Sequence, residues 1–293
     1  MKGFGKGKSK LLIFLLLLCA LPGCGKVDTA SGKTDEVTEE ITEVEKQKED
    51  VQVLQKIIEE QNALGADMST DLNNEDYTWD ENGRLTALNI SERYLKGELS
   101  CAGLPALTYL NCGYNRISSL DVSQNSMLEY LDCSINEISS LDVSLNTVLE
   151  YLDCSGNEIS SLDVSENTAL TELNCGNNEI SSLDVNKNAA LERLVCSGNE
   201  ISSLDVSQNA ALETLSCIDN EISSLDVSQN TVLEDLECSD NQIISLDVSE
   251  NRVLKYLKCG NNQISNLDVS KCPSLEKCRY DDNNPDMEII GWQ

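Results

Sequence analysis

The chain contains no histidine, and only 4% of its 293 residues are aromatic. Without an imidazole there is no Ser-His or Cys-His nucleophile pair, no histidine general base and no histidine metal ligand. The commonest kit for hydrolytic and zinc chemistry is therefore absent. Positive charge is also scarce: 21 Lys and Arg stand against 51 Asp and Glu, a formal net charge of −30. Such a chain repels phosphate backbones and anionic lipid headgroups, which argues against a nucleic-acid partner or a charge-held membrane contact. So few aromatic residues cannot fill an ordinary globular core of this length, and small aliphatic layers, as in a repeat protein, are expected instead.

What is there begins with an address. Four lysines precede an apolar run from Leu11 to Leu21, followed by Leu21-Pro22-Gly23-Cys24. The pattern resembles a bacterial lipoprotein signal peptide over residues 1–23. The resemblance implies that Cys24 becomes the lipid-carrying first residue of a chain anchored on the outer face of the cell membrane. The alternatives are a plain secretory signal and a retained anchor, although eleven apolar residues span only about 16 Å as a helix, half a bilayer core. Residues 24–49 are rich in Glu, Thr and Lys and read as an acidic flexible tether. Val37, Ile41 and Val44 hint at a heptad that Lys48 interrupts, so self-association through this segment is not expected.

Residues 50–106 read as an N-terminal cap. Asp50 is placed to cap a helix that buries Leu54, Ile57 and Ile58 and stops near Gly65. Two alternating runs then meet at Asn82-Gly83, the chemistry of a tight hairpin turn. A helix and hairpin here cover what would otherwise be the open first edge of a stack.

From Leu107 to Leu275 a leucine recurs every 21 residues without a break. Each unit follows L-x-x-L-x-C-x-x-N-x-I-x-x-L-D-V-S-x-N-x-x, as in Leu149, Leu152, Cys154, Asn157, Ile159, Leu162, Val164 and Asn167. This resembles the leucine-rich repeat, in its bacterial 21-residue, nested IRREKO type, from about Leu85 to Asn283. The resemblance implies a mostly β solenoid: eight repeats over 107–274, then a partial repeat and cap over 275–293. Alternation around Leu110 and Cys112, and again around Leu120 and Val122, gives each coil two extended segments, and stacking predicts two parallel ladders. The two asparagines of each unit would satisfy turn backbone.

Cysteines 112, 133, 154, 175, 196, 217, 238 and 259 fill one inward column. They read as small buried hydrophobes rather than metal or redox groups, since no C-x-x-C pair accompanies them. Cys272 and Cys278 break the pattern and are candidates for a disulfide. The aspartates 121, 142, 163, 184, 205, 226, 247 and 268 form an outward column. D-x-S-x-N is half of a calcium loop, without its glycine turn or closing glutamate, and a solvated column bonded to nearby serines is the simpler reading. No metal or cofactor is expected.

In leucine-rich repeats the outward residues of the first strand form the ligand face. That implication places Tyr109, Tyr130, Tyr151, Arg193, Tyr256, Lys258 and Lys277 as candidate contacts. The tyrosines either meet a protein or glycan partner or only stiffen the sheet. Residues 100–250 hold 26 acidic groups and three basic ones, Arg116, Lys187 and Arg193, whereas Arg252, Lys255, Lys258, Lys271, Lys277 and Arg279 gather at the far end. No insertion interrupts the array to build a catalytic cluster, so a non-enzymatic binder of a macromolecule, foremost a protein, is expected; a passive spacer or coat element is the alternative.

Overall fold

The computed structural model describes residues 45–281 and 287–292. The signal peptide, Cys24, most of the tether and residues 282–286 and 293 of the C-terminal cap lie outside the described residues. Among the described residues one helix, α1 (Lys48–Ala63), precedes the strands β1 (Tyr77–Trp79), β2 (Leu85–Asn89), β3 (Lys96–Ser100), β4 (Tyr109–Asn111), β5 (Arg116–Asp121), β6 (Tyr130–Asp132), β7 (Tyr151–Asp153) and β8 (Glu172–Asn174). The series continues with β9 (Arg193–Val195), β10 (Thr214–Ser216), β11 (Asp235–Glu237), β12 (Tyr256–Lys258), β13 (Asn266–Asp268), β14 (Lys277–Arg279) and β15 (Glu288–Ile290).

An 11-stranded sheet runs in the order β1-β2-β4-β6-β7-β8-β9-β10-β11-β12-β14. Only β1–β2 is antiparallel, the predicted hairpin; every later pair is parallel and in register, so Leu110 faces Leu131 and Leu257 faces Cys278. The architecture is the leucine-rich-repeat solenoid expected from the pattern. Inward Leu, Cys, Ile and Val columns form one continuous core in which the eight ladder cysteines are fully buried. Burial pushes their thiols up, to about 12 at Cys175 and Cys217, so these groups pack and do not ionise.

The second ladder departs from expectation. Among the described residues it forms strands only at the ends, β3 with β5 and β13 with β15. Between them each coil keeps one backbone bond on this arm, such as Glu158 N–H to the Ile138 carbonyl at 2.9 Å. The neighbouring amide is diverted: Ile138 N–H donates to Asn157 Oδ1 of the next coil at 3.0 Å. An asparagine side chain thus replaces the backbone rung that a strand requires.

The two asparagine columns do different work. Asn178 Nδ2 donates to the carbonyls of Cys154, Cys175 and Gly176, at 3.1, 3.1 and 3.3 Å, while its Oδ1 accepts the Ile159 N–H at 3.0 Å. Asn188 Nδ2 donates to Val164 O and Asn167 O at 3.0 and 2.9 Å, and its buried Oδ1 has no partner. The second column therefore uses only the donor end of the amide, which explains Cys272. That cysteine stands at the last asparagine position and directs its Sγ to Val248 O at 3.4 Å. The candidate Cys272–Cys278 disulfide is not present; both are free thiols, the first occupied as a donor inside the coil.

One residue per coil turns through the left-handed region after the first strand: Tyr114, Ile135, Gly156, Asn177, Gly198, Asp219, Asp240 and Asn261. Glycine and asparagine suit it; Ile135, with φ of 51°, is a β-branched residue held there at a cost.

The cap also corrects one detail. The helix starts at Lys48 after Gln47, so Asp50 sits inside its first turn and is fully buried. Its carboxylate accepts two bonds from the Arg84 guanidinium, at 2.9 and 2.8 Å, and the Leu85 N–H at 2.9 Å. Asp50 pins the helix to the hairpin instead of capping it. Gln61, one helical face along, accepts the Lys96 N–H and donates to Glu98 O, closing the free edge of β3.

Candidate functional site

The first-strand face is built from three-residue strands whose middle leucine is buried and whose outer residues face solvent. Coil stacking places equivalent residues in register, which brings Tyr109, Tyr130 and Tyr151 side by side. Their rings stack with centroids 4.4 and 4.3 Å apart and planes within 11° and 4°. All three are half-buried. Burial, followed by the flanking phenols of Tyr151 and Tyr109, raises the Tyr130 pKa, so the central ring is neutral at ordinary pH.

Glu129 and Glu150 precede two of these tyrosines and are exposed; Asp132 and Asp153 follow two residues on, on the same strand face. Asp132 Oδ1 accepts the Ser134 N–H at 2.9 Å and its hydroxyl at 2.6 Å, and Asp153 holds Ser155 in the same way. Asn111 and Asn174 make the equivalent turn with an amide oxygen, to Gly113 N–H and Gly176 N–H at 3.1 and 3.2 Å.

The other candidate contacts lie apart. Arg193 is exposed on β9. Tyr256, Lys258 and Lys277 border a cavity of about 200 Å³ with Asp235 and Glu237. Five coil rises, about 24 Å, separate this group from Tyr151. The face therefore carries two groups of candidates rather than one site. The basic end is also partly neutralised: Lys258 pairs with Glu237, Lys255 with Glu234 at 2.6 Å, and the Tyr256 hydroxyl donates to Glu276 at 3.1 Å. Within the cavity Asp235 has a buried oxygen without a partner, and burial raises its pKa.

On the opposite arm the aspartate column is exposed and spent on local turns. Asp142 Oδ1 accepts Ser144 N–H at 3.0 Å and Asp163 accepts Ser165 N–H at 2.9 Å. The backbone N–H and the hydroxyl of the serine two residues on hold Asp142, Asp163, Asp205 and Asp226 below the usual carboxylate range. No group of three or more acidic or thiol side chains among the described residues is arranged to hold a metal ion. Among those residues, too, no helix is long and apolar enough to cross a membrane. Sequence reasoning missed the Asp50–Arg84 pair and the Asp76–Arg93 pair, the latter at 2.9 Å. The signal for the first was available: Asp50 lies one helical turn before Leu54, on the face that must be buried.

Comparison with known proteins agrees with this geometry. A family model described as leucine-rich repeats in two copies matches residues 147–188. Among solved structures, the functional domain of InlJ from Listeria monocytogenes, described as including a cysteine ladder, is 35% identical with a TM-score of 0.59, over 74% of this chain and 53% of that one. The chain thus spans about half the length of the InlJ domain it matches. The leucine-rich-repeat protein LIC12759 of Leptospira interrogans is 20% identical with a TM-score of 0.55, over 67% of each chain. A plant ice-binding protein is also 20% identical, with a TM-score of 0.67 over 82% of this chain and 87% of that one. The last two share the fold alone. A search of curated proteins found no match. The chain contains leucine-rich repeats and has the leucine-rich-repeat fold, one that generally serves as a non-enzymatic scaffold for interaction.

Proposed function

We propose that this is a lipid-anchored protein of the outer cell surface that binds a protein partner, with or without glycans, through the outward face of its first strands. Its role is adhesion or interaction, and it makes no covalent change to what it holds. The observation that carries this reading is the tyrosine ladder, three amphipathic side chains fixed in register on the exposed sheet face. Tyrosine is among the residues that dominate binding energies, because it presents rigid apolar area with a polar tip at small entropic cost. The likeness to the InlJ functional domain, described as including a cysteine ladder, supports the reading of this array as a functional module. The lipoprotein-like Leu21-Pro22-Gly23-Cys24 supports anchoring through Cys24.

The test is capture of a surface partner by wild type and by Tyr130→Ala/Tyr151→Ala. Loss of capture with unchanged circular dichroism supports the proposal; unchanged capture refutes it. Metabolic labelling with a palmitate analogue should mark wild type and spare Cys24→Ser, and an unlabelled wild type removes the anchor. The unbroken regularity of the array favours one second reading, a spacer that holds another element away from the membrane. Absence of any crosslinked partner in either form would favour it.

A further inference from the structure

The tyrosine ladder restricts what can sit on it. With centroids near 4.4 Å and planes nearly parallel, the rings cover one another: both faces of Tyr130 are occupied, as are the inner faces of Tyr109 and Tyr151. A sugar ring docks by laying its C–H face on an open aromatic face; the interior of the stack offers only ring edges and hydroxyls, and its two outer faces stand beside Ala87 and Glu172 of the adjoining strands. Ring edges carry the positive part of the quadrupole and give a narrow apolar ridge.

That ridge is framed by carboxylates. Glu129 and Glu150, both exposed, immediately precede Tyr130 and Tyr151, and Asp132 and Asp153 follow two residues on along the same strand face. None of the four forms an ion pair within the described residues. The nearest basic side chain in sequence, Arg116, is committed to Glu137 at 2.8 Å. At the far end, by contrast, Glu234 and Glu237 already have lysine partners. Four carboxylates without counter-ions beside an apolar ridge are complementary to an amphipathic cation: a lysine or arginine lays its alkyl stem along the ring edges and sets its charged head among the acids.

We infer that the tyrosine ladder with Glu129, Glu150, Asp132 and Asp153 is a docking surface for a lysine- or arginine-bearing extended segment of a protein, and not for a sugar ring. This deepens the proposed function and rests on it.

The experiment measures fluorescence anisotropy of a labelled nine-residue peptide of alternating lysine and serine on the full chain, with a glutamine-serine peptide and chitohexaose as comparators. The site variant is Glu129→Gln/Asp132→Asn/Glu150→Gln/Asp153→Asn; its turns survive because Asn111 and Asn174 make the same turn natively. The control variant, Glu158→Gln/Glu179→Gln/Glu200→Gln/Glu221→Gln, removes the same charge from exposed residues of a column that ends in Gln242 and Gln263. The lysine peptide should bind wild type, weaken at least about tenfold on the site variant and less than about twofold on the control. Equal weakening on both would reduce the effect to net charge and overturn the inference, as would preferential binding of chitohexaose. If the lysine peptide fails to bind while a surface partner still depends on Tyr130 and Tyr151, this inference falls and the proposed function stands. If partner capture ignores both tyrosines, the proposed function falls first.

Discussion

The two asparagine columns give opposite answers to the question of whether burial or bonding sets the cost of a substitution. Asn188 is fully buried and Asn178 only partly so. By burial alone, Asn188→Ala should be the more damaging. The bonds say otherwise. Removing the Asn188 amide takes one donor from Val164 O and one from Asn167 O, yet each keeps another, Asn167 N–H and Leu170 N–H at 3.0 and 3.1 Å. Two ordinary bonds are lost and no carbonyl is orphaned, a cost of about 1–2 kcal/mol. Asn178→Ala takes a donor from three carbonyls and leaves the buried Ile159 N–H without its acceptor. The orphaned amide alone costs about 1–3 kcal/mol, and the whole substitution about 3–5 kcal/mol. Urea unfolding followed by far-ultraviolet circular dichroism should therefore rank the midpoints as wild type, then Asn188→Ala, then Asn178→Ala, with similar m-values. An equal or greater loss for Asn188→Ala would refute the assignment of roles.

The depressed aspartates of the outer arm bind protons more weakly folded than unfolded, so their contribution is complete above the unfolded pKa of about 4 and fades as pH falls through their folded values; Asp163→Asn should flatten the acid limb of a stability-versus-pH curve. Ile135→Asn should raise the melting temperature, since asparagine holds the same left-handed turn at Asn177 and Asn261 and relief of the β-branched strain is worth about 1 kcal/mol. With Cys19 and Cys24 replaced by Ser, native-state labelling with a water-soluble disulfide reagent should reach half-buried Cys278 first and leave Cys112 through Cys238 unreacted until unfolding; early labelling of the ladder would contradict its role in packing.

Most of the solenoid was legible because its signal repeats. Any one L-x-x-L-x-C-x-x-N is weak, but the same columns recurring every 21 residues leave little choice of which side chains face inward. The hairpin at Asn82-Gly83 was equally plain, for Gly83 adopts φ of 75° where a Cβ would strike backbone. The failures occurred where a polar side chain replaces an expected backbone contact. Nothing in I-x-x-L-D-V distinguishes a strand from an arm whose amide is captured by the next coil's asparagine. Asp50 looked like a cap because its use depends on Arg84, which is 34 residues away. For the site, period alone put the three tyrosines in one column. Their nearly parallel stacking, which closes the four inner ring faces and leaves the edges, follows from how the side chains pack and not from the period.

The central claim is that the first-strand face, and within it the tyrosine ladder, is where this protein meets its partner. A photo-crosslinking amino acid placed at Tyr151 tests it most directly, compared with one at exposed Ser181 on the opposite arm, in intact cells. The account predicts a discrete crosslinked adduct from position 151 and none from 181, with the adduct diminished by Glu129→Gln/Asp132→Asn/Glu150→Gln/Asp153→Asn. An adduct from 181 and none from 151 would contradict it.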